Sequence, residues 1–147
     1  MQKIAIPSLL LLTALYNGLA NADAPKPIKS SAAQVNGAIY QQANAVKEGS
    51  GTSSTIDVVT YDSKDKAFQT GMFKSGPMKV ELKAPGLDHD EFLHFISGGI
   101  TLTSSDGTRM EVGAGESVTL PKGWTGTFET AGYSKIYVIY NAPAAKP

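Results

Sequence analysis

The chain has 147 residues, no cysteine, and 13 basic residues against 13 acidic ones, so its formal charge at neutral pH is zero. Balanced charge without a basic cluster set among aromatics argues against a nucleic-acid-binding surface. The lack of cysteine excludes a disulfide scaffold but is compatible with export, since a chain of this length buries about two-thirds of its unfolded surface in one domain.

The first segment reads as a signal peptide over residues 1–22. Lys3 supplies a positive start, Ile4 to Leu19 is mostly apolar around Leu9-Leu10-Leu11-Leu12, and Ala20-Asn21-Ala22 presents small residues where a signal peptidase reads them. Cleavage is expected before Asp23. A cut after Ala24 also satisfies the pattern but leaves Pro25 next to it. An uncleaved anchor is the competing reading, opposed by the short run and its interruption at Pro7 and Asn17. The expected location is secreted or periplasmic, with no membrane segment after cleavage.

Residues 23–54 read as a lead-in. Its first part, with Pro25 and Pro27, reads as flexible. Val35, Ile39, Ala43 and Val46 then fall at helical spacing and predict a short helix, and Glu48 to Ser54 reads as loop; an extended arm along the body is the alternative. From Thr55 the character turns to β, beginning with the β-branched run Thr55-Ile56-Asp57-Val58-Val59-Thr60-Tyr61. A charged turn at Asp62 to Lys66 precedes strands at Ala67 to Phe73 and Met78 to Lys83. In the latter, Met78, Val80 and Leu82 alternate with Lys79, Glu81 and Lys83, which predicts one wet face. Phe92 to Ile96 is apolar except for His94, and is expected to be covered on both faces. Ile100 and Leu102 oppose Val112 and Met110 only across a loop of odd length, so Ser105-Asp106-Gly107 is the predicted three-residue loop, with Gly107 in the left-handed region. Lys135 to Tyr140 is apolar nearly throughout and predicts a central strand. Residues 141–147 read as a loose tail. Short strands with regular turn signals over 55–140 predict an all-β barrel or sandwich.

The ordered set Gly71-Met72-Phe73, Glu91 to Gly98, Asp106-Gly107, Gly113 to Trp124, Gly126-Thr127-Phe128 and Lys135-Ile136-Tyr137 resembles the EutQ-type subgroup of small cupins. The resemblance implies a single cupin-type antiparallel β-barrel, a jelly roll, with a small-molecule or metal site in its mouth. It also shows where the metal ligands of the two cupin motifs would stand. The histidines of the first fall on Ala84, Pro85, Gly86 and Leu87, and that of the second on Gly126, so only Glu91 remains. No cofactor is therefore expected. The fallback is a divalent metal such as iron, manganese or zinc on His89 and Glu91, with Asp88 and Asp90 nearby. The favoured reading of Pro85 to Asp90 is a polar loop with His89 exposed. His94 shares a face with Phe92 and Ile96 and reads as a packed histidine.

Glu91 is the candidate catalytic residue, as a partly buried acid or base; its structural alternative is an ion pair with Lys135. Trp124, Lys135, Tyr137 and Phe73 are the candidate ligand contacts, although Phe73 and Tyr137, like Phe128, also read as core. Trp124 has three readings: a ring that stacks on a sugar or aromatic ligand, a lid over the core, or a dimer contact. Three functions follow. One is a secreted binding protein for a small polar molecule such as a sugar or organic acid. The second is a metal-dependent oxidoreductase or lyase, or an isomerase, with a non-standard site around Glu91 and His89. The third is a structural module that forms a homodimer.

Overall fold

The structure, a computed structural model, describes residues 25–142; the expected signal peptide and residues 143–147 of the expected tail lie outside them. Among the described residues there are eight strands: β1 (Val46–Glu48), β2 (Thr55–Asp62), β3 (Phe68–Ser75), β4 (Met78–Leu82), β5 (Asp90–Ser104), β6 (Arg109–Gly113), β7 (Ser117–Leu120) and β8 (Gly126–Tyr140). All pairings are antiparallel, and β8 is central, bonding to β3, β4 and β5. Among the described residues no helix is long and apolar enough to cross a membrane.

The two 15-residue strands, β5 and β8, each serve two sheets. Their paired halves around Asp90–Phe95 and Lys135–Tyr140 carry β7 on one side and β3, β2 and β1 on the other. Their remaining halves carry β6 and β4. The corner lies where Gly98 faces Tyr133 and Gly99 faces Gly132, flanked by irregularities at Phe95/Ser97 and Gly99/Thr101. Strands that turn from one packed sheet into another do so at bulges of this kind. The bulges also change the phase of the strand. Leu93 and Phe95 point inward before the corner, Ile100 and Leu102 after it, and all four are at most 4% exposed. The jelly-roll core formed between the sheets adds Val112, Leu120, Tyr133 and Tyr137.

The expected hairpin register holds: Ile100 pairs with Val112 and Leu102 with Met110. Gly107 sits in the loop at φ +88°, and its amide donates to the Ser104 carbonyl. The Phe92 to Ile96 expectation needs correction. Leu93 and Phe95 are buried, but Phe92 is 41% exposed, because its side of the sheet extends past the segment that covers it.

That covering segment is the lead-in, and it is not simply flexible. A capping box joins Ser31 and Gln34 and starts a single helical turn, α1 (Ala32–Val35). Gly37, at φ +121°, redirects the chain into a 3₁₀ turn at Ala38–Gln41, and Val46 already lies in edge strand β1. The expected helix through Val46 is thus cut short at Asn36-Gly37. The turn buries Ile39 and Tyr40 against Val58 and Met72, with Ile136 alongside, closing a second apolar layer on the outer face of β2, β3 and β8.

Gly107 and Gly98 separate two costs. Nothing stands within 4 Å of a Cβ built on Gly107, whereas one on Gly98, at φ +67°, would lie 2.0 Å from the Gly132 carbonyl oxygen. Gly107→Val is expected to lose about 1 kcal/mol or more through backbone strain alone. Gly98→Val should lose clearly more, because the corner cannot open. Urea denaturation of both variants measures the difference; equal losses would show that the corner yields.

Candidate functional site

At the end of the barrel bounded by β2, β3 and β4 lies a cavity of about 330 Å³. Phe73, Met78, Val80, Leu82, Phe128 and Ile139 form its apolar walls, and Asp57, Gln69, Glu91, Tyr133, Lys135 and Tyr137 supply its polar surface. The alternation of β4 is explained here: Met78, Val80 and Leu82 face the cavity, so Val80 remains 39% exposed.

Glu91 and Lys135 come from neighbouring strands. Glu91 stands opposite Ile139 and Lys135 opposite Phe95, with the Leu93–Tyr137 pair between them. Both side chains point inward, and Lys135 Nζ reaches Glu91 Oε1 at 3.2 Å. The ammonium also lies 5.6 Å from the ring centroids of both Phe73 and Tyr133, a distance at which aromatic faces stabilise a cation. Burial pulls the Lys135 pKa below its ordinary value, and Glu91 opposes that shift without cancelling it. The carboxylate thus has the structural partner that was one of its two readings.

Asp57 was not singled out in the sequence. It lies on β2 opposite Phe73, and the Tyr137 hydroxyl donates to its Oδ1 at 2.9 Å. Gly71 makes room for that contact. It faces Tyr137 across β3 and β8, and a Cβ there would stand 2.2 Å from the tyrosine oxygen. Burial raises the Tyr137 pKa above the usual phenol value, and the nearby Asp57 charge raises it further. Burial raises Tyr133 in the same way, with Glu91 adding to it.

His89 departs from its expected exposure. It lies in the loop just before β5, but its side chain is only 17% exposed and its Nε2 is buried with no hydrogen-bond partner. Nδ1 is 2.6 Å from Asp88 Oδ1, which holds the Asp88 carboxyl below its usual range. Nε2 is 3.8 Å from Glu91 Oε2, too long for a hydrogen bond. His94 is on the outer face, with Nδ1 2.8 Å from Ser117 Oγ.

Trp124 stands apart from the cavity lining. Its indole N–H donates to Ser104 Oγ at 3.0 Å, and its ring meets Phe128 edge-on at 6.0 Å, so it packs on the core behind a wall of the cavity. Phe73, Lys135 and Tyr137, by contrast, all line the cavity with Glu91.

The residues present do not fit a standard cupin metal centre. Gly126, where the second motif would place a histidine, packs so tightly that a Cβ would lie 2.3 Å from the Thr103 carbonyl oxygen and 2.7 Å from the Trp124 ring. Gly86 is similarly confined against Gly123 and Trp124, and Leu87 bonds through its backbone to both of those residues. These positions close the end of the core. Among the described residues no group of three or more His, Cys, Asp or Glu side chains converges on a point.

Residues 62–137, just over half of the chain, match the family model of the EutQ-like cupin domain. The EutQ protein of Clostridium difficile is 20% identical, with a TM-score of 0.53 over 68% of this chain and 78% of its own. A protein of unknown function from Rhizobium leguminosarum is 19% identical, with a TM-score of 0.55 over 79% of this chain and 98% of its own. An RmlC-like cupin from Shewanella frigidimarina is 14% identical, with a TM-score of 0.52 over 68% of this chain and 86% of its own. At these identities the likeness establishes the fold. No curated protein matches the chain.

The Glu91–Lys135 pair is open to a double-mutant cycle. Glu91→Gln and Lys135→Met should each strand a buried partner, while the double variant should recover part of the loss, giving a coupling of about 1 kcal/mol or more. The pH dependence has a definite sign. Between the depressed folded pKa of Lys135 and its ordinary 10.5, the unfolded chain holds a proton that the folded barrel has shed, so stability rises with pH there. Below that window the lysine is charged and its burial penalty is fully present. Chemical denaturation from neutral to alkaline pH should show this rise in wild type relative to Lys135→Met; strictly additive single losses would contradict the pairing, and a slope of opposite sign would show that the pairing outweighs the burial of Lys135.

Proposed function

Because the chain belongs to the EutQ-like cupin domain family, we propose that it is an exported cupin protein that binds a small molecule in the barrel cavity and does so without the standard cupin metal centre. The observation that carries this reading is the cavity itself: apolar walls enclose one group of converging polar side chains, the usual character of a small-molecule site. The substitution of the motif histidines by residues that the fold uses for packing supports the metal-free part. The n-region, apolar run and Ala20-Asn21-Ala22 pattern support export.

A second reading has one specific observation in its favour. The unpartnered Nε2 of His89 stands beside the second oxygen of Glu91. That arrangement suits an acid–base role for Glu91, with the His89 ring next to its second oxygen.

Two measurements test the proposal. Metal analysis of the purified mature protein after dialysis should find far less than one transition metal per chain. Near-stoichiometric metal in wild type, lost in both His89→Ala and Glu91→Gln, would replace this reading with a metalloenzyme. Mass spectrometry of the exported protein should place the N-terminus at Asp23 or within a few residues; a mature protein that retains Met1 would rule out the cleaved export signal.

A further inference from the structure

We infer that the cavity is selective for small organic cations, an ammonium group on an apolar body, and that the ammonium is seated at Asp57. The inference rests on the cavity being a ligand site and narrows that site to one chemical class.

Among the described residues three charged side chains face the cavity: Asp57, Glu91 and Lys135. Lys135 is engaged by Glu91 at 3.2 Å, and that pair is neutral as a unit. Asp57 is left over. Its side-chain partner is the uncharged hydroxyl of Tyr137, and among the described residues it forms no salt bridge. The cavity therefore carries one uncompensated negative charge in a partly desolvated setting, where a bound cation gains more than it would in water.

The walls favour the same class. Phe73 and Tyr133 already present their rings to one ammonium, that of Lys135, at 5.6 Å each, so the lining is chemically suited to positive charge. Met78, Val80, Leu82 and Phe128 offer an apolar surface to the body of the ligand. An organic acid meets the reverse situation, since it would face two carboxylates while Lys135 is already paired. A sugar would leave most of its hydroxyls against aliphatic walls, unsatisfied.

The test uses three probes of one shape, benzylamine, benzyl alcohol and benzoate, titrated into the mature protein at neutral pH and followed by calorimetry and by NMR shifts of cavity residues. Benzylamine is expected to bind at least about tenfold more tightly than the alcohol, and benzoate more weakly than either. Asp57→Asn retains an acceptor for Tyr137 and removes the charge, so it should weaken benzylamine far more than the alcohol and abolish the amine's preference. If the alcohol or benzoate binds wild type as tightly as the amine, the cation inference fails and the cavity stands as a site. If a folded Asp57→Asn keeps its amine preference, the assignment to Asp57 is overturned. If none of the three binds at millimolar concentration, the inference and the cavity reading fall together. The wild-type ranking needs no variant, so it decides the ligand class even if Asp57→Asn fails to fold.

Discussion

The backbones of β5 and β8 cross so closely at the sheet corner that a single Cβ on Gly98 would lie 2.0 Å from the Gly132 carbonyl oxygen. That contact lets two strands belong to two sheets. The neighbouring bulges shift the side-chain phase by one residue as the chain turns, so each strand keeps its inner face inward on both sides of the bend. Without that shift, Ile100 and Leu102 would point outward while Leu93 and Phe95 pointed in. The interior is thus set by a backbone approach between residues that have no side chains of their own.

The interior is divided along its length. Leu93, Phe95, Ile100, Leu102, Val112 and Leu120 form a dry region. Glu91, Lys135, Asp57 and Tyr137 gather where β4 leaves the barrel open. Removing charged groups from water is unfavourable unless each finds a partner, and here the partners are arranged in two couples, one ionic and one between a phenol and a carboxylate. Gly71 is a condition of the second couple, since any side chain there would displace the Tyr137 ring. The polar groups therefore hold fixed positions against apolar walls.

The sequence revealed the barrel through alternation and turn chemistry, both of which are local. The Ile100–Val112 register followed from matching apolar positions across a loop containing Gly107, and Glu91 emerged from the motif around Gly98. Asp57 was hidden for a physical reason. A lone carboxylate in a β-branched run reads as the wet side of a half-covered strand, and the opposite side, carrying Val58, reads as core. Here Ile39 and Tyr40 cover Val58 from outside the barrel, so Asp57 is the residue that faces in. No pattern within β2 reports that inversion, because it depends on a segment that pairs with β2 only at its edge. His89 was obscured differently: it reaches Glu91 from a loop, where strand periodicity carries no information. Trp124 beside the Pro121-Lys122-Gly123 turn gave no directional signal at all, and its flank was decided by a hydrogen bond to Ser104.

The central place of β8 has a consequence for the order in which this molecule can exist. It is the final strand among the described residues, yet it is the common neighbour of β3, β4 and β5, and it contributes to both apolar layers through Tyr133, Tyr137 and Ile136. A nascent chain lacking residues 126–140 has hairpins but no enclosed interior, and the N-terminal turn carrying Ile39 has only part of its seat. Collapse into the native topology must await residues 126–140, because the non-local pairings depend on β8. Late closure is thus written into the wiring of the barrel itself, which leaves the polypeptide open until its most connected strand is in place.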